Sequence, residues 1–188
     1  MKTVGRKLDP FRVTGVKPGF NQHEENGVSA FEEITENSFP GKWKVIYFYP
    51  KDFTFVCPTE IVGFARLAAD FEDRDAVLLA GSTDNEFVKL AWRRDHKDLD
   101  RLNHWMFADT TGALVDMLGI RDAKEGVALR ATFVVDPDNV VQHFIGEAAH
   151  AGIDLFRVFD SLNGIDNMRV AIDAVRQSGA LCEAAMCY

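Results

Sequence analysis

Cysteine is scarce in this chain, with three among 188 residues. Three is too few, and too odd a number, for a disulfide framework. Their positions, Cys57, Cys182 and Cys187, form no Cys-x-x-Cys pair and no zinc-knuckle spacing. Long apolar runs are missing too. None approaches the roughly 20 residues that cross a bilayer, so no membrane helix is expected. The opening stretch from Met1 to Pro10 has no apolar segment of the secretory kind, and the expected location is the cytoplasm. Basic charge is in deficit, 21 Lys and Arg against 29 Asp and Glu, which argues against a nucleic-acid partner. His23, His96, His104, His143 and His150 show no ligand spacing, and no metal is expected.

Core-forming material is plentiful: 47% of residues are hydrophobic, including 15 Phe, a globular rather than a disordered composition. Residues 1 to 42 read as polar and turn-rich. Lys42 to Tyr49 reads as a strand buried on both faces, ending at Pro50. After a loop and Pro58, the spacing of Ile61, Phe64, Leu67, Ala68 and Phe71 predicts one amphipathic helix. Ala76–Ala80 and Trp105–Ala108 read as buried strands. Asn85 is placed to cap a helix carrying Phe87, Leu90 and Ala91. The charge run from Arg93 to Arg101 reads as its solvated end. A helix from Thr111 to Leu118 ends near Gly119. Arg130–Asp136 and Val140–Phe144 flank Pro137-Asp-Asn139, a hairpin signal. Strand–helix alternation closed by a hairpin predicts an α/β domain over residues 1–145.

Cys57 stands between a strand with its loop and the start of a helix. A thiol there faces unpartnered N–H groups and the positive end of the helix dipole, both of which favour the thiolate. A thiolate attacks the O–O bond of a peroxide and is left as a sulfenic acid. A buried, unreactive cysteine is the competing reading of the residue taken alone. Thr54 replaces the first cysteine of a Cys-x-x-Cys motif, so any resolving thiol must come from elsewhere in the sequence.

The neighbours of Cys57 bear on that choice. Pro50-x-x-x-Thr54-x-x-Cys57, within the stretch Tyr49 to Glu60, resembles the signature of the peroxiredoxins. Together with Pro40 to Lys44, Phe71 to Asp75, Ala91 to Arg93 and Arg130 to Pro137, it is most similar to the bacterial alkyl hydroperoxide reductase C type. The resemblance covers about residues 1–145. It implies a thioredoxin-like fold and a thiol-dependent peroxidase acting on hydrogen peroxide and organic hydroperoxides, with no cofactor. It also implies roles. Cys57 is the peroxidatic cysteine, Thr54 a donor to thiolate and peroxide, and Pro50 a shield against water. Arg130 is the cation that stabilises charge as the O–O bond breaks, and Glu60 orients that arginine. Electrons would come from a dithiol or a flavoprotein reductant. The family forms homodimers that assemble into rings.

The last residues follow another pattern. Leu155–Phe159, Asn163–Arg176 and Leu181–Tyr188 read as strand, helix and strand, a βαβ unit of the parallel-sheet kind. Glu147 to Asn163 and Asn167 to Arg176, with the ending Leu181 to Tyr188, resemble the carboxyltransferase barrel of pyruvate carboxylase and oxaloacetate decarboxylase. Such a fragment lacks the histidines and lysine that carry carboxyl transfer in that family. Residues 146–188 are therefore expected to be an atypical tail on the peroxiredoxin domain. Cys182 and Cys187 are the possible resolving thiols. Five residues apart, they face opposite sides if the segment is a strand. The alternative function is a catalytically impaired or non-enzymatic chimera that associates through its tail.

Overall fold

The computed structural model describes residues 4–146 together with the backbone of the strands Leu155–Asp160 and Leu181–Met186. Along the chain the elements are β1 (Arg12–Val16), β2 (Glu24–Glu25), β3 (Val28–Ser29), β4 (Phe31–Thr35), β5 (Trp43–Phe48), α1 (Cys57–Arg66), α2 (Ala68–Glu72) and β6 (Ala76–Ser82). They continue with α3 (Glu86–Asp95), β7 (Trp105–Ala108), α4 (Ala113–Leu118), β8 (Ala131–Val135), β9 (Val141–Gly146), β10 (Leu155–Asp160) and β11 (Leu181–Met186).

Seven strands form one sheet in the order β4-β1-β7-β6-β5-β8-β9. At its centre β5, β6 and β7 run parallel, and β8 lies antiparallel beside β5 with Ala131 opposite Phe48. This mixed sheet with helices on both faces is a thioredoxin-like fold. The period of two along each central strand distributes side chains to two cores. Ile46, Phe48, Leu79 and Phe107 point to a core closed by Leu114, Val115 and Leu118 of α4. Tyr47, Tyr49, Ala80 and Met106 point to the other, closed by Ile61 of α1 and by Leu90 and Trp92 of α3. Cys57 belongs to this second core. Gly81 is where the first core needs a missing side chain, since a Cβ there would meet the Phe107 ring at 2.0 Å.

Several sequence expectations need correction. The first 42 residues contain four strands, and β1 sits inside the sheet between β4 and β7. Its apolar content is carried by Val13 and Val16 alone, with Gly15 between them, so it reads as a turn-rich segment. In β4, Glu32 and Glu33 are exposed and Ile34 is buried, as suits an edge strand. The helix after Pro58 is two helices. The chain leaves α1 at Leu67, whose N–H bonds to the Phe64 carbonyl in a tighter turn, and Leu67 is exposed rather than packed. Phe87 is exposed as well, where it stacks with His23 and meets Phe31 edge to face.

The largest correction concerns Arg93, which opens the supposed solvated charge run. It is fully buried, and its guanidinium donates to the carbonyls of Val16, Lys17, Phe20 and His104 at 2.6–3.3 Å. Burial lowers its pKa to about 10, which leaves it charged at neutral pH.

The chain divides into two compact units, Met1–Phe144 and Ile145–Tyr188. In the second, β10 and β11 pair in parallel, with Cys182 opposite Phe156. The expected helix over 163–176 and Cys187 lie outside the described residues. Among the described residues no helix is long and apolar enough to cross a membrane, and no cluster of three or more acidic, His or Cys side chains is arranged to hold a metal.

Candidate active site

The site is assembled where β5 gives way to α1. Cys57 is the first residue of α1 and Pro58 the second, so the ring occupies a position whose N–H has no helical acceptor. Val56 precedes the helix without a side-chain cap, which leaves the first-turn donors to other partners. Cys57 is only 3% exposed and is a free thiol.

Arg130 reaches this thiol from the head of the strand paired directly with β5. It directly precedes β8, and the antiparallel register that sets Ala131 opposite Phe48 brings it to the end of β5 where the Cys57 loop departs. Its Nη2 donates to the Cys57 Sγ at 3.3 Å. Its Nη1 donates to the Glu60 carboxylate in an ion pair about a quarter exposed. Glu60 stands three residues after Cys57, one helical turn on, so both face the same guanidinium. A fixed cation thus lies beside the sulfur, oriented from behind by a carboxylate.

Pro50 and Thr54 occupy the connecting loop and are half-buried. The Thr54 hydroxyl donates to the Lys51 carbonyl at 3.2 Å. The geometry therefore brings together Cys57, Arg130 and Glu60, while Thr54 holds a local bond within its own loop. Cys182 is on β11 in the other compact unit, where only its backbone is described.

A second polar cluster under the loop was not apparent from the sequence. The Asp52 carboxylate and the Lys89 ammonium form an ion pair at 3.1 Å, and their side chains are 1% and 0% exposed. Lys89 also donates to the Ser82 Oγ at 2.6 Å, and Ser82 donates to Asp52 at 3.3 Å. The Asp52 N–H donates to the Asp84 carboxylate at 2.8 Å. Burial raises the pKa of Asp52 and lowers that of Lys89, and their mutual attraction opposes both shifts. The signal was present but ambiguous. Lys89, Trp92 and Arg93 share one face of α3, and two cations on a helical face ordinarily mark solvent. Above this cluster the Phe53 ring stacks on Trp92 with centroids 5.8 Å apart.

Comparison with known proteins places this arrangement in context. Residues 7–144 match the AhpC/TSA family. The chain is 48% identical over 165 residues to an alkyl hydroperoxide reductase C of Mycolicibacterium smegmatis, covering 85% of this chain and 84% of that protein. Among solved structures, Mycobacterium tuberculosis AhpC superposes with a TM-score of 0.72 at 37% identity, covering 96% of each chain. A reduced 2-Cys peroxiredoxin of Plasmodium vivax gives 0.68 at 26% identity, covering 94% of this chain and 98% of its own. The relative from M. smegmatis is matched over a larger share of the chain than residues 7–144 represent, so the likeness runs into the segment beyond them.

Proposed function

The chain belongs to the AhpC/TSA family and is a peroxiredoxin, a thiol-dependent peroxidase, and on that premise we propose that Cys57 is its peroxidatic nucleophile. The observation that carries this is the Arg130 Nη2 donor 3.3 Å from the Cys57 Sγ. A guanidinium at that distance stabilises negative charge on sulfur before reaction and on the departing oxygen during it. The thiolate attacks the terminal oxygen of a hydroperoxide. The S–O bond forms as the O–O bond breaks, the sulfur becomes a sulfenic acid, and the alkoxide or hydroxide leaves and takes up a proton. Glu60 holds Arg130 in place. Thr54 turns its hydroxyl from the Lys51 carbonyl to the incoming peroxide, and Pro50 limits the approach of water.

Hydrogen peroxide and organic hydroperoxides are the proposed substrates, in keeping with the name of the alkyl hydroperoxide reductase relative. No cofactor enters this chemistry. The sulfenic acid condenses with a thiol, releasing water and forming a disulfide that a dithiol or flavoprotein reductant then opens. Cys182 or Cys187 supplies that thiol, or an external thiol does. A cytoplasmic homodimer or ring-forming assembly is the proposed working form. A boundary near residue 145 separates the peroxidase domain from the tail. The resemblance of residues 147–188 to a carboxyltransferase barrel rests on the sequence, and the parallel pairing of β10 with β11 is in keeping with it. A non-enzymatic chimera is disfavoured by the identity to a named reductase.

Mass spectrometry of the reduced protein after one equivalent of peroxide tests the reading. Cys57 should gain one oxygen or enter a disulfide, and an unmodified Cys57 beside consumed peroxide would refute it.

A further inference from the structure

From the cluster beneath the loop we infer that Asp52 and Lys89 are positioning residues for the peroxidatic turn, acting through the main chain of residues 52–57. The inference rests on Cys57 being the nucleophile.

Three observations carry it. First, Asp52 is tied to β6, to α3 and to the turn between them: its carboxylate to Ser82 at the end of β6 and to Lys89 of α3, and its N–H to Asp84 in the turn. The Lys89 ammonium also lies 5.4 Å from the centre of the Tyr49 ring, at the end of β5. Second, Phe53, the next residue, has φ of 54°. That region is strained for an aromatic side chain and persists only where the surroundings over-determine the backbone. The ties on Asp52 and the stack of Phe53 on Trp92 do so. Third, the far end of the same stretch is fixed by the contact of Cys57 with Arg130. Thr54 therefore lies within a six-residue arc, Asp52 to Cys57, clamped at both ends.

Packing alone gives no reason for charges at this place, since a buried ion pair is commonly no more stabilising than apolar side chains of similar volume. What the pair adds is direction. Charge-assisted hydrogen bonds fix the orientation of the Asp52 backbone, where an apolar contact would permit sliding. Misplacement of a reacting group by about 1 Å costs on the order of a hundredfold in rate.

The test compares two reactions of Cys57 in the full-length reduced protein. Reduction of hydrogen peroxide needs the aligned turn, whereas alkylation by iodoacetamide needs only a reachable thiolate. Lys89→Met and Asp52→Asn should each slow peroxide reaction at least tenfold while changing alkylation less than about twofold. If Lys89→Met does not fold, the near-isosteric Asp52→Asn carries the test. A peroxide rate within twofold of the parent in a folded variant overturns the inference, as does an equal fall in both reactions. Failure of the peroxidase reading is separate and shows in the parent protein itself, as absence of oxygen transfer to Cys57.

Discussion

Arg130 touches Cys57 from 73 residues away in the chain, its Nη2 lying 3.3 Å from the sulfur. The pairing of β8 with β5 brings them together, and Glu60 aims the guanidinium. Arg130→Met should lower the second-order rate of peroxide reduction by about a hundredfold to a thousandfold, the usual effect of losing a fixed charged donor. Arg130→Lys should recover only part of that loss. One ammonium restores the charge but cannot reproduce the fork that serves sulfur and carboxylate together. Stopped-flow measurement of peroxide consumption distinguishes the two variants, and equal rates in both would argue against the bidentate role.

Thr54 makes a different kind of prediction because its hydroxyl bonds to Lys51 rather than to the thiol. That bond is exposed and contributes little to stability. Thr54→Val preserves shape and removes the donor. It should leave the urea midpoint nearly unchanged and cost about a hundredfold in peroxide rate, the usual effect of deleting one such donor. Thr54→Ser, which keeps the hydroxyl, should stay within tenfold of the parent. A Thr54→Val enzyme as fast as Thr54→Ser would show that the hydroxyl takes no part.

The difference between what was and was not legible in the sequence follows from how each residue is held. Cys57, Thr54 and Pro50 share one short segment, so local spacing displays them together. The central strands are legible for a similar reason: Val45 to Tyr49 and Leu78 to Ala80 are buried on both faces, so their apolar runs are unbroken. Asp52 and Lys89 are 37 residues apart and meet only when β5, β6 and α3 pack. Nothing local separates such charges from surface charges. The strand β1 is not legible because its place in the sheet comes from pairing with β4 and β7 rather than from its own composition.

Arg93 gives a stability test of a charge whose burial its sequence neighbours hide. Its guanidinium is surrounded by main-chain carbonyls from β1, the following loop and His104. Arg93→Leu removes those donors and leaves buried carbonyls without them. A destabilisation of about 3 kcal/mol or more is expected in urea unfolding. A solvated side chain would instead shift stability by less than about 0.5 kcal/mol.

His104 predicts how the fold responds to acid. It is buried against Tyr47, with Nε2 2.6 Å from the phenolic oxygen. Asn103 donates through its amide nitrogen to the Ala65 carbonyl, so its oxygen faces the imidazole and accepts from Nδ1. That leaves Nε2 as the acceptor from the Tyr47 hydroxyl, and the ring neutral. Burial, and secondarily the charge of Arg93, lower the His104 pKa to about 3. The unfolded chain, with an ordinary histidine value of about 6.5, takes up this proton first as the pH falls. Stability is therefore lost on acidification between about pH 6.5 and pH 3. The portion lost from pH 7 to pH 5 is about 2 kcal/mol for this one group. His104→Gln removes the titration, while the other four histidines, His23, His96, His143 and His150, remain in both proteins and cancel in the comparison. Urea unfolding at pH 7 and pH 5 should show a loss smaller by about 2 kcal/mol in His104→Gln than in the parent, whatever the variant's stability at pH 7. The same loss in both proteins would mean that the imidazole can protonate within the folded core.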